Sequence, residues 1–293
     1  MPDRSVPPGG TGTTLLYASP EVGETVALLR DQGDPVGGPT RGLYGAVVVA
    51  ARGAQFRDPT TGRQLAPDAS QEQVVVVPPR GRPYRDAAVF LQDSDGELGS
   101  HQMPYRRGAR GATGLSYRSA PLRPRLERDP DPSAVFRSTV HGDPATPVLT
   151  AREGDALRLH VVTPVSEQAR VFGLEGHRWP VEPERKGTTL VASTLLGALE
   201  AVTVQPQGGV GPPGDYVYGD QRAPWTEAGL WGLLRVLPKD ADAGPLALPC
   251  TGCSGSSRWR YAAGLGALLV GGAGWSLWQG RRAHSRRSRS APG

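Results

Sequence analysis

The chain has 293 residues, enough for one large or two ordinary domains. Gly 40 and Pro 29 are high counts, yet a hydrophobic fraction of 38% is too large for disorder throughout. The formal charge of +5 is concentrated at one end: Arg281, Arg282, Arg286, Arg287 and Arg289 lie in an acid-free tail, and the rest of the chain is close to neutral. Such a tail beside an apolar segment fits a positive-inside anchor better than a nucleic-acid grip, so nucleic acid is excluded as a partner.

Apolar runs rich in β-branched residues, such as Ala46-Val47-Val48-Val49 and Val74-Val75-Val76-Val77, favour strands joined by Gly/Pro turns. An all-β fold is expected. Two stretches share one pattern. Gly12-Thr13-Thr14-Leu15-Leu16-Tyr17 is followed, after a loop, by Gly42-Leu43-Tyr44-Gly45 and an apolar run. Gly214-Asp215-Tyr216-Val217-Tyr218 is followed by Gly229-Leu230-Trp231-Gly232 and a second run. The recurrence suggests two copies of one β-domain, with Tyr17 and Tyr218 equivalent and Leu43 and Leu230 facing their cores.

Between the copies, Asp86–Gln92 reads as a strand, and the Pro/Arg-rich stretch from Pro121 to Pro132 as neither helix nor central strand. Glu153-Gly154-Asp155 signals a turn between strands around Val148 and Leu157. Further strands are expected at Val171–Leu174, Thr188–Ala192 and Ala201–Val204. The expected organisation is a partial sandwich over residues 1–77, holding last strands only, and a complete Greek-key sandwich over 82–238. A linker (239–260), an apolar span (261–278) and a basic tail (279–293) follow.

The sandwich resembles a cupredoxin domain of the multicopper oxidase family. Pro147-Val148-Leu149 through Leu159 resembles the opening hairpin, and Phe172-Gly173-Leu174-Glu175-Gly176-His177-Arg178-Trp179 the strand where relatives carry a His-rich copper motif. Gly214–Tyr218 and Gly229–Gly232 resemble the last strands, which bracket the copper loop in that family. The resemblance implies copper as cofactor, but a blue-copper centre needs a Cys thiolate and two imidazoles. The only cysteines are Cys250 and Cys253, and neither Gly219–Glu227 nor Ala18–Arg41 contains His or Cys.

Five histidines remain. His101 and His284 read as solvated, His160 as a satisfied structural imidazole, and His141 as a backbone-bonded turn residue before Gly142-Asp143-Pro144. His177 alone matches a family ligand position and is the one candidate metal residue. Glu153/Asp155 and Asp93/Asp95 read as turn carboxylates.

Tyr261–Trp278 is uncharged and would reach about 27 Å as a helix, long enough to span a bilayer. Arg258, Arg260 and the Arg tail flank it, and Trp259, Trp275 and Trp278 sit where interfacial aromatics belong. Just upstream, Leu248-Pro249-Cys250-Thr251-Gly252 resembles the Leu-Pro-x-Thr-Gly sorting signal of Gram-positive surface proteins. That resemblance implies a sortase and peptidoglycan as partners, with cleavage between Thr251 and Gly252. Met1–Thr14 has no charged-then-apolar leader. Together with the half-missing first sandwich, this suggests the C-terminal part of a longer exported oxidase or a degenerate paralogue. Two functions stay open: a wall-displayed module lacking intact copper sites, and part of a working copper oxidase whose ligands lie elsewhere.

Overall fold

A computed structural model of the chain describes residues 6–35, 37–66, 69–93, 113–166, 168–183 and 185–240. In chain order the strands are β1 (Thr25–Arg30), β2 (Tyr44–Val49), β3 (Gln55–Arg57), β4 (Gln73–Val77), β5 (Tyr84–Gln92) and β6 (Gly114–Leu115). Then follow β7 (Val148–Arg152), β8 (Leu157–Val162), β9 (Arg170–Leu174), β10 (Trp179–Pro180) and β11 (Leu190–Val191). The series closes with β12 (Ser193–Leu196), β13 (Ala201–Val204), β14 (Gly214–Asp220) and β15 (Trp231–Leu237).

Two mixed sheets form the body. The first runs β13-β8-β5-β4-β3, with β6 on the end of β5; the second runs β12-β9-β14-β15-β7. Each contains one parallel pair, β5 with β8 and β15 with β7. The chain passes from one sheet to the other between β6 and β7, β7 and β8, β8 and β9, β12 and β13, and β13 and β14. Connections of this kind make a Greek-key sandwich.

Alternation along the strands sends one set of side chains between the sheets. Ala87, Val89 and Leu91 of β5 and Leu157, Leu159 and Val161 of β8 meet Leu149, Phe172, Leu174, Tyr218, Leu234 and Val236 from the other side. At about 25 cal/mol per Å², each large side chain in this layer contributes about 1.5–3 kcal/mol by leaving water. The outer faces of β5 and β8 are also buried along much of their length, although they mix apolar residues such as Ala88, Phe90 and Val162 with polar ones such as Asp86 and His160. Each outer face is covered. The β1–β2 hairpin brings Tyr44, Val26, Leu28 and Ala46 onto Phe90, Ala88 and Val162 of the first sheet. Residues 120–136 bring Ala120, Leu122, Val135 and Phe136 onto Trp231 and Leu233 of the second. There the Trp231 indole N–H donates to the Ala120 carbonyl at 2.7 Å, and Arg125 stacks 4.8 Å above the ring.

Several sequence expectations are corrected. No boundary separates 1–77 from 82–238: β4 pairs antiparallel with β5, Val76 opposite Tyr84, and β3 continues the same sheet. The expected partial sandwich is therefore an edge of the main sheet plus a covering hairpin. The two-copy repeat also fails. Gly12–Tyr17 is not a strand, and the partner of β2 is β1. Tyr17 is 87% exposed against 1% for Tyr218, and Leu43 is 59% exposed against 0% for Leu230.

The turn at Glu153–Asp155 forms, with Gly154 at φ +80°, but it is an arch between sheets rather than a hairpin. Within Pro121–Pro132 a short helix, Arg123–Arg128, does form. Pro124 sits in its first turn, where a missing N–H and a fixed φ cost nothing. The strand expected at Thr188–Ala192 is split: Leu190–Val191 pairs with β10, and Ser193–Leu196 joins β9. Among the described residues no helix is long and apolar enough to cross a membrane. The expected span Tyr261–Trp278 lies outside those residues.

Candidate functional site

The covered outer face of the first sheet carries one polar row. Parallel pairing of β5 with β8 sets Ala88 beside His160, and antiparallel pairing of β8 with β13 sets His160 opposite Thr203. Period-two alternation then puts Asp86, His160 and Thr203 on the same face. His160 Nδ1 lies 2.9 Å from Thr203 Oγ1, and Nε2 lies 2.7 Å from Asp86 Oδ1. Asp86 and His160 are both buried. His160, expected as a structural imidazole, is satisfied at Nδ1 by Thr203, whereas its Nε2 meets Asp86 as an ion-pair contact and makes no hydrogen bond; the two partners come from two other strands.

The row borders a cavity of about 350 Å³. Ala46, Val47 and Val48 of the hairpin, Val74 and Ala88 of the sheet, and Phe56 and Leu65 supply apolar wall, while Glu72 and Asp86 are acidic members of the lining. At one end of the same face Arg158 lies 4.0 Å over the Tyr84 ring and pairs with Glu24, which precedes β1. Burial pushes the Tyr84 hydroxyl up to about 12, outweighing the Arg158 charge that favours its ionised form. At the other end the Tyr44 hydroxyl donates to Gln92 Oε1 at 2.7 Å, and the Tyr44 ring stacks on Tyr117 at 4.7 Å. Burial, reinforced by Tyr117, raises the Tyr44 hydroxyl well above its ordinary value. These contacts hold the hairpin down at both ends.

His177 lies on the loop after β9 and is buried. Its Nδ1 is 2.7 Å from the Glu175 carbonyl oxygen, and the Gly211 amide donates to its Nε2 at 2.9 Å. A carbonyl only accepts and an amide N–H only donates, so the imidazole is neutral with its proton on Nδ1. No lone pair is left for a metal unless the Gly211 bond breaks. The Tyr216 ring meets it edge-on at 4.8 Å. The position that resemblance assigns to copper therefore does not fit a copper ion. Its neighbour by the same resemblance, Gly219–Glu227, does not fit either: Ala223–Ala228 is a short helix, and Asp220 accepts from Arg170 at 3.1 Å. Among the described residues no three His, Cys, Asp or Glu side chains converge in a way that could hold a metal.

Arg170 is the centre of that second polar cluster. It pairs with both Asp93 and Asp220, and Nε donates to Ser166 at 2.9 Å. The Trp225 ring lies 3.6 Å from the guanidinium carbon. Burial lowers its pKa to about 10 against the support of Asp220, which leaves it charged at neutral pH. A cation shared by two buried carboxylates and stacked on an indole is a structural clamp joining β9 to the β14 end. His141 ends the short helix Ser138–His141 and is buried; neither ring nitrogen has a hydrogen-bond partner, contrary to the expected backbone bond. Leu248, Pro249, Cys250, Thr251 and Gly252, with His101 and His284, lie outside the described residues.

Sequence reasoning missed the Asp86–His160–Thr203 row. Polar residues inside apolar strands were its only signal, and pairing register was needed to bring them together.

No protein-family model matches the chain, and no curated protein matches it. Solved structures do align with it. A copper nitrite reductase from Nitrosomonas europaea aligns at TM-score 0.46 and 17% identity, over 78% of this chain and 66% of that one. A multicopper oxidase from Pediococcus acidilactici aligns at 0.35 and 8%, over 54% of this chain and 27% of that one. The multicopper oxidase McoA from Aquifex aeolicus aligns at 0.31 and 12%, over 52% and 29%. The chain thus spans less than two thirds of each structure's length. The sandwich assignment rests on the strand pairing described above.

Proposed function

We propose that this chain is a cupredoxin-like, multicopper-oxidase-related module displayed at the cell envelope, and that it carries no blue-copper centre of its own. The observation that carries this reading is the state of His177, whose two ring nitrogens are both committed to backbone groups. The sequence supports it independently, since no Cys precedes Cys250 to supply the thiolate. Envelope display is supported by Leu248–Gly252, the apolar Tyr261–Trp278 and the basic tail, in that order. A module of this kind acts through its surfaces and cavities, not through electron transfer.

The deciding experiment is a copper titration of the purified full-length chain in non-ionic detergent, followed by absorption and electron paramagnetic resonance. The expected result is no blue charge-transfer band and no copper retained after dialysis. Retention of one copper per chain, lost on His177→Ala, would overturn the reading. It would favour instead the reading as part of a working copper oxidase.

A further inference from the structure

We propose that the cavity beneath the β1–β2 hairpin binds a small organic cation, an ammonium group carried on a compact apolar body, with Asp86 as its counter-ion. At about 350 Å³ the cavity falls within the range of small-molecule sites. Its walls combine aliphatic side chains, from Ala46, Val48, Val74 and Ala88, and the Phe56 ring with polar ones from Ser70, Gln71, Glu72, Asp86 and His160. The same lining includes Asp86 and Glu72 and neither Lys nor Arg. The lining therefore holds two carboxyl groups and one imidazole. Two carboxyl groups and no basic side chain disfavour an anion, and a cation gains a charge-assisted contact with the buried Asp86.

Asp86 is built for this role. His160 Nε2 at 2.7 Å holds the carboxylate, and Thr203 at 2.9 Å holds the imidazole on its far side. A buried carboxylate fixed by a relay of two further strands is pre-organised, so little ordering is needed when a ligand enters. A metal ion is the weaker fit, because no three ligating side chains converge among the described residues. The usual role of such a row is to satisfy buried polar groups. That role alone does not require an adjoining cavity of this size in a face otherwise closed by the Tyr44, Phe90 and Val162 cluster.

The test uses the full-length chain in non-ionic detergent, titrated with benzylammonium and, separately, with benzyl alcohol, its neutral counterpart. Detergent-only titrations are subtracted. Benzylammonium is expected to bind saturably and at least about tenfold more tightly than benzyl alcohol, the margin of one charge-assisted hydrogen bond. Asp86→Asn is expected to remove most of that preference, the exposed Glu72 accounting for any remainder. Ala88→Leu extends a side chain beside His160 and, in a protein that keeps its β-sheet circular dichroism, should block both ligands. Equal affinity for the two ligands, absence of saturable binding, or an unchanged preference in a folded Asp86→Asn protein would each overturn the proposal.

Discussion

The amide of Gly211 donates to Nε2 of His177 at 2.9 Å, and this one contact ties the loop after β9 to the loop before β14. With the Glu175 carbonyl on Nδ1, the ring acts as a two-ended brace between backbone segments. His177→Ala should therefore cost stability rather than copper. Loss of two hydrogen bonds and a buried ring predicts about 2–4 kcal/mol, read from the midpoint of denaturant unfolding. An unchanged midpoint would remove the brace from the account.

Arg170 predicts a larger effect. Its guanidinium faces Asp93 and Asp220, and all three side chains are buried. Arg170→Leu removes the cation between two buried carboxylates and should destabilise by about 3–5 kcal/mol. The triple change with Asp93→Asn and Asp220→Asn should recover part of that loss, because the buried charges leave with their partner. Equilibrium unfolding of the three proteins measures the recovery.

The acid response centres on Arg235, which donates to Asp143 at 2.7 Å and to Asp215 at 2.8 Å. The bonds from Arg235 and Ser138 hold the Asp143 carboxyl down at about 2, below its ordinary value. A depressed carboxylate contributes stability that is fully present above its unfolded pKa, near 4, and lost as pH falls through the folded value. The stability difference between wild type and Asp143→Asn should therefore be largest above pH of about 4 and vanish toward about 2. The pair is exposed enough that the difference will be modest and reduced by salt. Denaturation midpoints across this pH window, at low and high salt, check it.

Gly219 and Gly232 are sites where no side chain fits. At Gly219, φ is +139°, and a Cβ would lie 2.2 Å from the Leu230 carbonyl oxygen. At Gly232 it would lie 2.6 Å from the Tyr218 ring, whose hydroxyl donates to Pro147 at 2.9 Å. Alanine at either position should cost more than about 2 kcal/mol. Gly45, with nothing within 4 Å of its would-be Cβ, should tolerate alanine within about 1 kcal/mol. Thermal melts of the three variants separate the cases.

Envelope display has its own test. In a sortase-positive Gram-positive host that exports the protein, muramidase should release the wild-type protein from the cell. Thr251→Ala should remain in the membrane fraction and need detergent. If both need detergent and both keep Arg281–Arg289 by mass spectrometry, only an anchor remains and sorting is excluded.

The sequence by itself determined most of the strands of the two sheets, because β-branched apolar runs such as Val74–Val77 suit an extended, buried chain. It determined the turn at Gly154 and the last pair, β14 and β15, because turn residues and strand period act locally. It could not decide which strands are neighbours. The arch after β7 and a hairpin share the same turn residues; only packing between sheets separates them. Likewise Gly42–Gly45 and Gly229–Gly232 look alike in sequence, yet one lies in an outer hairpin and the other beneath Tyr218. The candidate site belongs wholly to tertiary structure. Asp86, His160 and Thr203 come from three strands far apart in the chain, and only the register of β5, β8 and β13 brings their polar atoms within hydrogen-bonding distance.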